Sequence, residues 1–148
     1  MTLNRGFKLF QPWATEVVRG KLNYLVRSFN TKIRDRVAVI ATNKFDRVWL
    51  NTAPEKDIIK FQNKETGAIG SVTITDSIGI DPKMVEKKLK ELAGKKYLEY
   101  CPGYLIPFVI KGKKLYVWIL KDAKEWKKTK EIERRTGILW ARIDMKDE

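Results

Sequence analysis

Val37-Ala-Val-Ile-Ala41 offers no polar side chain to either face, and three of its five residues are β-branched. Such a run reads as a strand that is fully buried, because a strand with one wetted face would alternate polar and apolar residues. The rest of the chain has to provide that cover. Its 148 residues suffice for one hydrophobic core and leave little room for a second, so a single domain spanning 1–148 is expected.

On the N-terminal side of this run, Phe7–Phe10 is a short apolar strand that stops at Gln11-Pro12. Proline at a helix start then introduces Trp13–Arg19, where Ala14, Val17 and Val18 make one buried stripe and Gly20 ends the helix. A strand over about Leu22–Phe29 and a polar stretch, Asn30–Arg36, lead into the buried run. Beyond it, Val48–Asn51 is a further short strand, Asn51–Lys56 a proline-containing loop, and Asp57–Gln62 fits either helix or strand. Gly67–Ile74 alternates as a strand after the Lys64–Gly67 turn. Asp81-Pro82 supplies a carboxylate N-cap and a proline at the first helical position for a helix carrying Val85, Leu89 and Leu92 on one face, ended by Gly94. Tyr104–Ile110 and Leu115–Leu120 form a hairpin across Lys111-Gly112-Lys113-Lys114. Lys121–Lys130 reads as a basic, solvated connection, Gly137–Ile143 as the last apolar run and Met145–Glu148 as tail. About six short strands with flanking helices predict an α+β protein built on a small, partly open β-barrel.

Charge narrows the function. Lys and Arg number 31 against 18 Asp and Glu, a formal net charge of +13, which attracts polyanions, nucleic acid first. The chain has no histidine and one cysteine, Cys101, so it offers no zinc site, no histidine-assisted nucleophile and no internal disulfide. No phosphate-loop pattern occurs, and Gly67-Ala-Ile-Gly70 lacks the dinucleotide-binding spacing. No metal or cofactor is therefore expected. Apolar runs are far shorter than the roughly 20 residues of a membrane span, no secretory leader is apparent, and the lone cysteine fits a reducing cytoplasm.

The charge concentrates in Arg19–Arg47, with eight Lys and Arg against two Asp. Trp13, Tyr24, Phe29 and Phe45 are interleaved with it, and cations beside aromatic faces can neutralise phosphates while stacking bases. The same aromatics are equally suited to a small core.

Phe7-Lys-Leu-Phe-Gln-Pro-Trp-Ala14, followed by Gly20–Ser28 and Val37–Thr42, resembles the opening of the ASCH domain, a member of the PUA-like superfamily. That opening reads strand, Gln-Pro-Trp-Ala, helix, Gly-x-Lys-x-x-Glu-x-Arg, buried strand. Gln11, Pro12, Trp13, Ala14, Gly20 and Arg27 fall in register, and Tyr116–Asp122 with Gly137–Trp140 is similar to the closing strands. Leu22 and Leu25 stand where the motif has lysine and glutamate, and Lys21 lies one residue early. In hydrolytic relatives the motif lysine takes part in cleaving acylated cytidine.

The resemblance implies a PUA-like barrel, with a less typical helical insertion around 47–103, and a preference for RNA. It places Arg27 in a cleft beside the first helix as an anion or base-edge contact. Trp13 and Tyr24 are expected to line a pocket for one base, with Pro12 in the same nucleic-acid-binding set. Phosphates would be held by Arg27, Lys32, Arg34 and Lys44, near Lys21 and Thr42. The expected function is a nucleic-acid-binding module with RNA, other nucleic acid or a nucleotide as partner. The alternative is a hydrolase acting on RNA or a modified nucleoside, with Lys21 or Lys44 as base or nucleophile and Tyr24 or Thr42 assisting. A lysine serves that role when burial or neighbouring cations depress its pKa, so burial of Lys21 or Lys44 would favour catalysis and exposure would favour binding. A basic adaptor for an acidic protein is a third class that composition permits.

Overall fold

The computed structural model describes residues 1–46, 50–51, 53–62, 66–84, 87, 114–132 and 139–148. In chain order they form β1 (Thr2–Gln11), α1 (Trp13–Val18), β2 (Tyr24–Arg27), β3 (Arg36–Phe45), α2 (Glu55–Gln62), β4 (Gly67–Ile80), a short 3₁₀ turn (Pro82–Met84), β5 (Leu115–Lys130) and β6 (Trp140–Lys146). The strands make one sheet in the order β2-β5-β4-β3-β1-β6. β1 runs parallel to β3 and every other pairing is antiparallel.

The apolar run Val37–Ala41 lies in β3, between β1 and β4, and every residue of it is buried. Its alternate residues serve two cores. Val37, Val39 and Ala41 join Phe7, Leu9, Val72, Ile74, Trp118 and the apolar stripe of α1 on the inner face. Ala38 and Ile40 join Leu3, Ala68, Trp126 and Ala141 on the outer face. Absence of alternation in the sequence thus reflects cover on both sides.

Contacts across the inner core show how strongly the sheet curls. Trp118 on β5 meets Phe7 on β1 edge to face at 5.8 Å and stacks on Trp140 of β6 at 5.7 Å. In a flat sheet, with strands about 4.8 Å apart, these residues would stand roughly 14 and 19 Å from Trp118. The six strands instead form a half-barrel, with β2 and β6 as its edges among the described residues.

Helix α1 packs inside the curl. Its first turn is capped by the side chain of Gln11, whose Oε1 accepts from the Thr15 amide at 3.1 Å and hydroxyl at 3.0 Å. Gly20, with φ of +75°, reverses the chain at the other end. Gly70 allows the helix to approach β4: a Cβ there would lie 2.7 Å from Cγ1 of Val18.

Several expectations change. Strand two is shorter than predicted, Tyr24–Arg27. Leu50 and Asn51 are helical rather than extended, with the Leu50 amide donating to the Asp46 carbonyl at 2.9 Å; Val48 and Trp49 lie outside the described residues. The ambiguous segment is helical, as α2. Asp81 does cap the segment after it, accepting from the Lys83 amide at 2.9 Å, but the described part is a 3₁₀ turn; Val85, Leu89, Leu92 and Gly94 lie outside the described residues, as does Tyr104–Ile110.

Two corrections are larger. Lys121–Lys130 is not a solvated loop but the second half of β5, paired with β4 from Thr73↔Lys121 to Ala68↔Lys130. Nor is Met145–Glu148 a free tail. Met145 packs on the outer core, Lys146 pairs with Thr2, and Asp147 is held by Arg36, Ser71 and Trp126.

Candidate nucleic-acid interface

β2 is an edge strand among the described residues, and its ladder with β5 sets Leu25 opposite Trp118 and Arg27 opposite Tyr116. This places the Arg27 guanidinium against two rings, 5.1 Å from the centroid of Phe29 and 5.2 Å from that of Trp118. Arg27 is only 4% exposed. A cation taken so far out of water requires compensation, and the negative faces of aromatic rings supply part of it. Trp118 fixes the arrangement by donating its Nε1–H to the Phe29 carbonyl at 3.3 Å and by meeting the Phe29 ring edge to face at 5.3 Å. Phe29 and Trp140 are half-buried, so this aromatic cluster reaches the surface at the open seam of the barrel.

At the opposite end of β2 lies a small notch of about 120 Å³, partly open to solvent. Leu22, Val72 and Leu120 give it apolar walls, with Gly20, Asn23, Lys121, Asp122 and Ala123 completing it. The backbone turns sharply on both sides, at Gly20 and at Asp122, whose φ is +55°. Leu22 stands where a lysine would be if the sequence followed the Gly-x-Lys pattern, so the notch carries an apolar side chain at that point. From Leu22 to Arg27 the chain spans roughly 16 Å at about 3.3 Å per residue, so the two features mark the ends of one edge.

The predicted site residues divide into two groups. Pro12, Trp13 and Tyr24 are buried, and the side chains of Trp13 and Tyr24 pack in the inner core. The Trp13 indole donates to Asp46 Oδ2 at 3.2 Å, tying the start of α1 to the end of β3. Lys21, Lys32, Arg34 and Lys44 are exposed, and Thr42 is half-buried with its Oγ1 accepting from the Lys44 amide at 3.3 Å. Arg34 donates to the carbonyls of Thr31 and Ile33 at 2.8 and 2.9 Å and lies 3.8 Å from Asp76. These cations lie on the surface, whereas Arg27 is buried.

Sequence reading missed the roles of Trp118 and Trp140, which frame the seam from strands distant in the chain. It also missed the lysines of β5, assigned to a loop. Only three ion pairs join described residues: Arg19 with Glu125, Arg34 with Asp76, and Arg36 with Asp147. Lys21, Lys32, Lys44, Lys121, Lys127 and Lys128 are exposed and have no carboxylate partner among the described residues. Such cations create a field over the surface that is available to a polyanion.

No protein-family model matches this sequence, and no curated protein matches it. Solved structures do. The half-barrel superposes on a serine-to-alanine variant of the ASCH protein from Zymomonas mobilis with a TM-score of 0.57 at 13% identity, covering 94% of this chain and 87% of that one. The ASCH protein of the same organism without that substitution gives a TM-score of 0.48 at 17% identity, covering 82% and 68%. At these identities the likeness concerns the fold, and the fold is ASCH-like, a PUA-like half-barrel with flanking helices.

Proposed function

We propose that this ASCH-like half-barrel is a nucleic-acid-binding module whose partner is RNA. The observation that carries the reading is the excess of exposed lysines with no carboxylate partner among the described residues, set on a chain of net charge +13. Phosphates would be met by Lys21, Lys32, Arg34, Lys44 and the lysines of β5, which neutralise charge without reading sequence. The seam formed by Phe29, Trp118, Trp140 and Arg27 offers a partly exposed aromatic surface on which an unstacked base can lie. The preference for RNA rests on the resemblance of the sequence to the ASCH domain.

The hydrolase alternative asks for a lysine withdrawn from water. Lys21 and Lys44 are both exposed, which supports recognition over turnover.

Fluorescence-detected binding of short single- and double-stranded RNA and DNA, at low and high salt, tests the reading. Wild type should bind RNA in a salt-sensitive way and leave it intact. Arg27→Ala should weaken binding in protein whose circular dichroism remains native, because it removes the cation packed against Phe29 and Trp118 at the seam. Cleavage would replace this reading with the hydrolase, and absence of binding to any polymer at low salt would refute it.

A further inference from the structure

On the outer face of the sheet, donors from three strands converge on one anion. Arg36 of β3 donates Nε–H to Asp147 Oδ2 at 2.5 Å. Ser71 of β4 donates its hydroxyl to Asp147 Oδ1, which also accepts from Trp126 Nε1 of β5 at 2.9 Å. Lys124 of β5 donates from Nζ to the Asp147 carbonyl at 2.8 Å. Guanidinium, ammonium, hydroxyl and indole N–H together make a donor set with no acceptor of its own except the serine oxygen, and Arg36 occupies that.

The donors are held in place without Asp147. Arg36 is clamped by NH1 on Thr73 Oγ1 at 3.1 Å and NH2 on Ser71 Oγ at 2.9 Å, which fixes the guanidinium plane and aims Nε outward. Trp126 is packed in the outer core, 5% exposed, under the Lys130 ammonium 4.4 Å from its ring centroid. A bulge in β5 sets the position of Lys124. Thr73 pairs with Lys121 and Ser71 with Lys124, so three residues of β5 pass opposite two of β4 at Asp122. The bulge brings Lys121 and Lys124 to the same outer face as Arg36.

We infer that this cluster is an anion site that takes a phosphate group, and that the Asp147 carboxylate occupies it as an internal stand-in. A carboxylate and a phosphate ask for the same donors, and the guanidinium that meets the carboxylate recognises either; the Lys124 ammonium, on the Asp147 carbonyl, stands beside it. Exchange of Asp147 for a phosphate keeps every buried donor satisfied, whereas simple release would leave an uncompensated arginine and indole N–H. The site deepens the reading given above, because a phosphodiester of bound RNA and a free phosphate share this chemistry. Asp147 then acts as a competitor that weakens polyanion binding until displaced.

The test compares Asp147→Ala with Asp144→Ala, which removes an equal charge from an exposed position on β6. Inorganic phosphate and a short single-stranded RNA are titrated separately, with the Trp126 indole N–H resonance, assigned through Trp126→Phe, as the local readout. Asp147→Ala is expected to bind the RNA about five- to tenfold tighter than Asp144→Ala, with a salt slope steeper by about one. Phosphate should shift the Trp126 resonance in Asp147→Ala at concentrations that leave wild type unchanged, and Arg36→Ala in the Asp147→Ala background should abolish both gains. If Asp147→Ala is poorly folded, Asp147→Asn, which keeps the shape and removes the charge, takes its place in the same comparisons. Equal RNA affinity of the two variants with an unresponsive Trp126 resonance overturns the proposal and leaves Asp147 as a purely structural clasp. A Trp126 shift with phosphate but not with RNA identifies free phosphate as the ligand and keeps the site. If wild type binds no RNA while Asp147→Ala responds to phosphate, the RNA reading fails and this one stands.

Discussion

Trp118 and Trp140 belong to strands four places apart in the sheet, yet their rings stack at 5.7 Å with an interplanar angle of 23°. This contact draws the β5 and β6 regions of the sheet together across the inner core. It also builds the seam at which Arg27 is held, since Trp118 meets both the Arg27 guanidinium and the Trp140 ring.

Trp118→Ala is expected to be the most destabilising single change at the seam, by about 3–5 kcal/mol, because it removes a fully buried ring together with four aromatic and cation contacts. Trp140→Ala, from a half-buried position, should cost about 1–3 kcal/mol. Urea denaturation followed by circular dichroism measures both.

Gly70→Ala probes the fit of α1 against the sheet. The added methyl would meet Val18 at 2.7 Å and press on the Lys124 carbonyl, so the helix or β5 has to shift. Overpacking of this kind costs about 1–3 kcal/mol. A thermal melt would show it, and an unchanged melting temperature would mean that α1 does not pack as described.

Acid should loosen the Asp147 clasp. Burial works to raise the pKa of this carboxyl, but hydrogen bonds from Ser71, Arg36 and Trp126 and the Arg36 charge outweigh it and hold the value at about 2, against 3.8 ordinarily. The folded-state pKa lies below the unfolded one, so the stabilisation is complete above about pH 4 and is lost as pH falls towards 2. Asp147→Asn should therefore cost on the order of 1–2 kcal/mol at neutral pH, and its difference from wild type should vanish near pH 2. Paired denaturation curves across that range check the sign.

Charge reversals on the surface should separate phosphate contacts from stability. Lys32→Glu, Lys44→Glu and Lys121→Glu alter exposed side chains with no carboxylate partner among the described residues, so their melting temperatures should stay within about 2 °C of wild type. Each that touches RNA should flatten the dependence of log affinity on log salt by about one. Unchanged slopes for all three would confine the interface to other cations.

The sequence made some of this legible because the signals were local. Val37–Ala41 announced a strand covered on both faces, Gln11-Pro12-Trp13 the passage from strand to helix, and Gly20 the turn after it. Lys121–Lys130 was illegible because a strand whose outward residues are mostly charged looks like a loop until its partner β4 is known. Asp147 looked like tail because its partners Arg36 and Ser71 lie 111 and 76 residues away. Trp13 and Tyr24 carried no local mark to tell core from pocket: an aromatic residue suits both, and only packing against Ala14, Leu25 and their neighbours decides. Arg27 was singled out by its place in a motif, but its ring partner Trp118 arrives from the far end of the chain.

The position of β1 has a kinetic consequence. It lies between β3 and β6, pairing Gly6 with Ala38 on one side and with Ala141 on the other, and Thr2 with Lys146 at its beginning. β1 therefore waits for β6, far downstream in the chain, before its second edge is covered. Closing loops of this length before any reward is gained makes for slow folding, with relaxation expected in milliseconds to seconds rather than microseconds. Until β6 is in place, that edge of β1 stays open to pairing with a stranger.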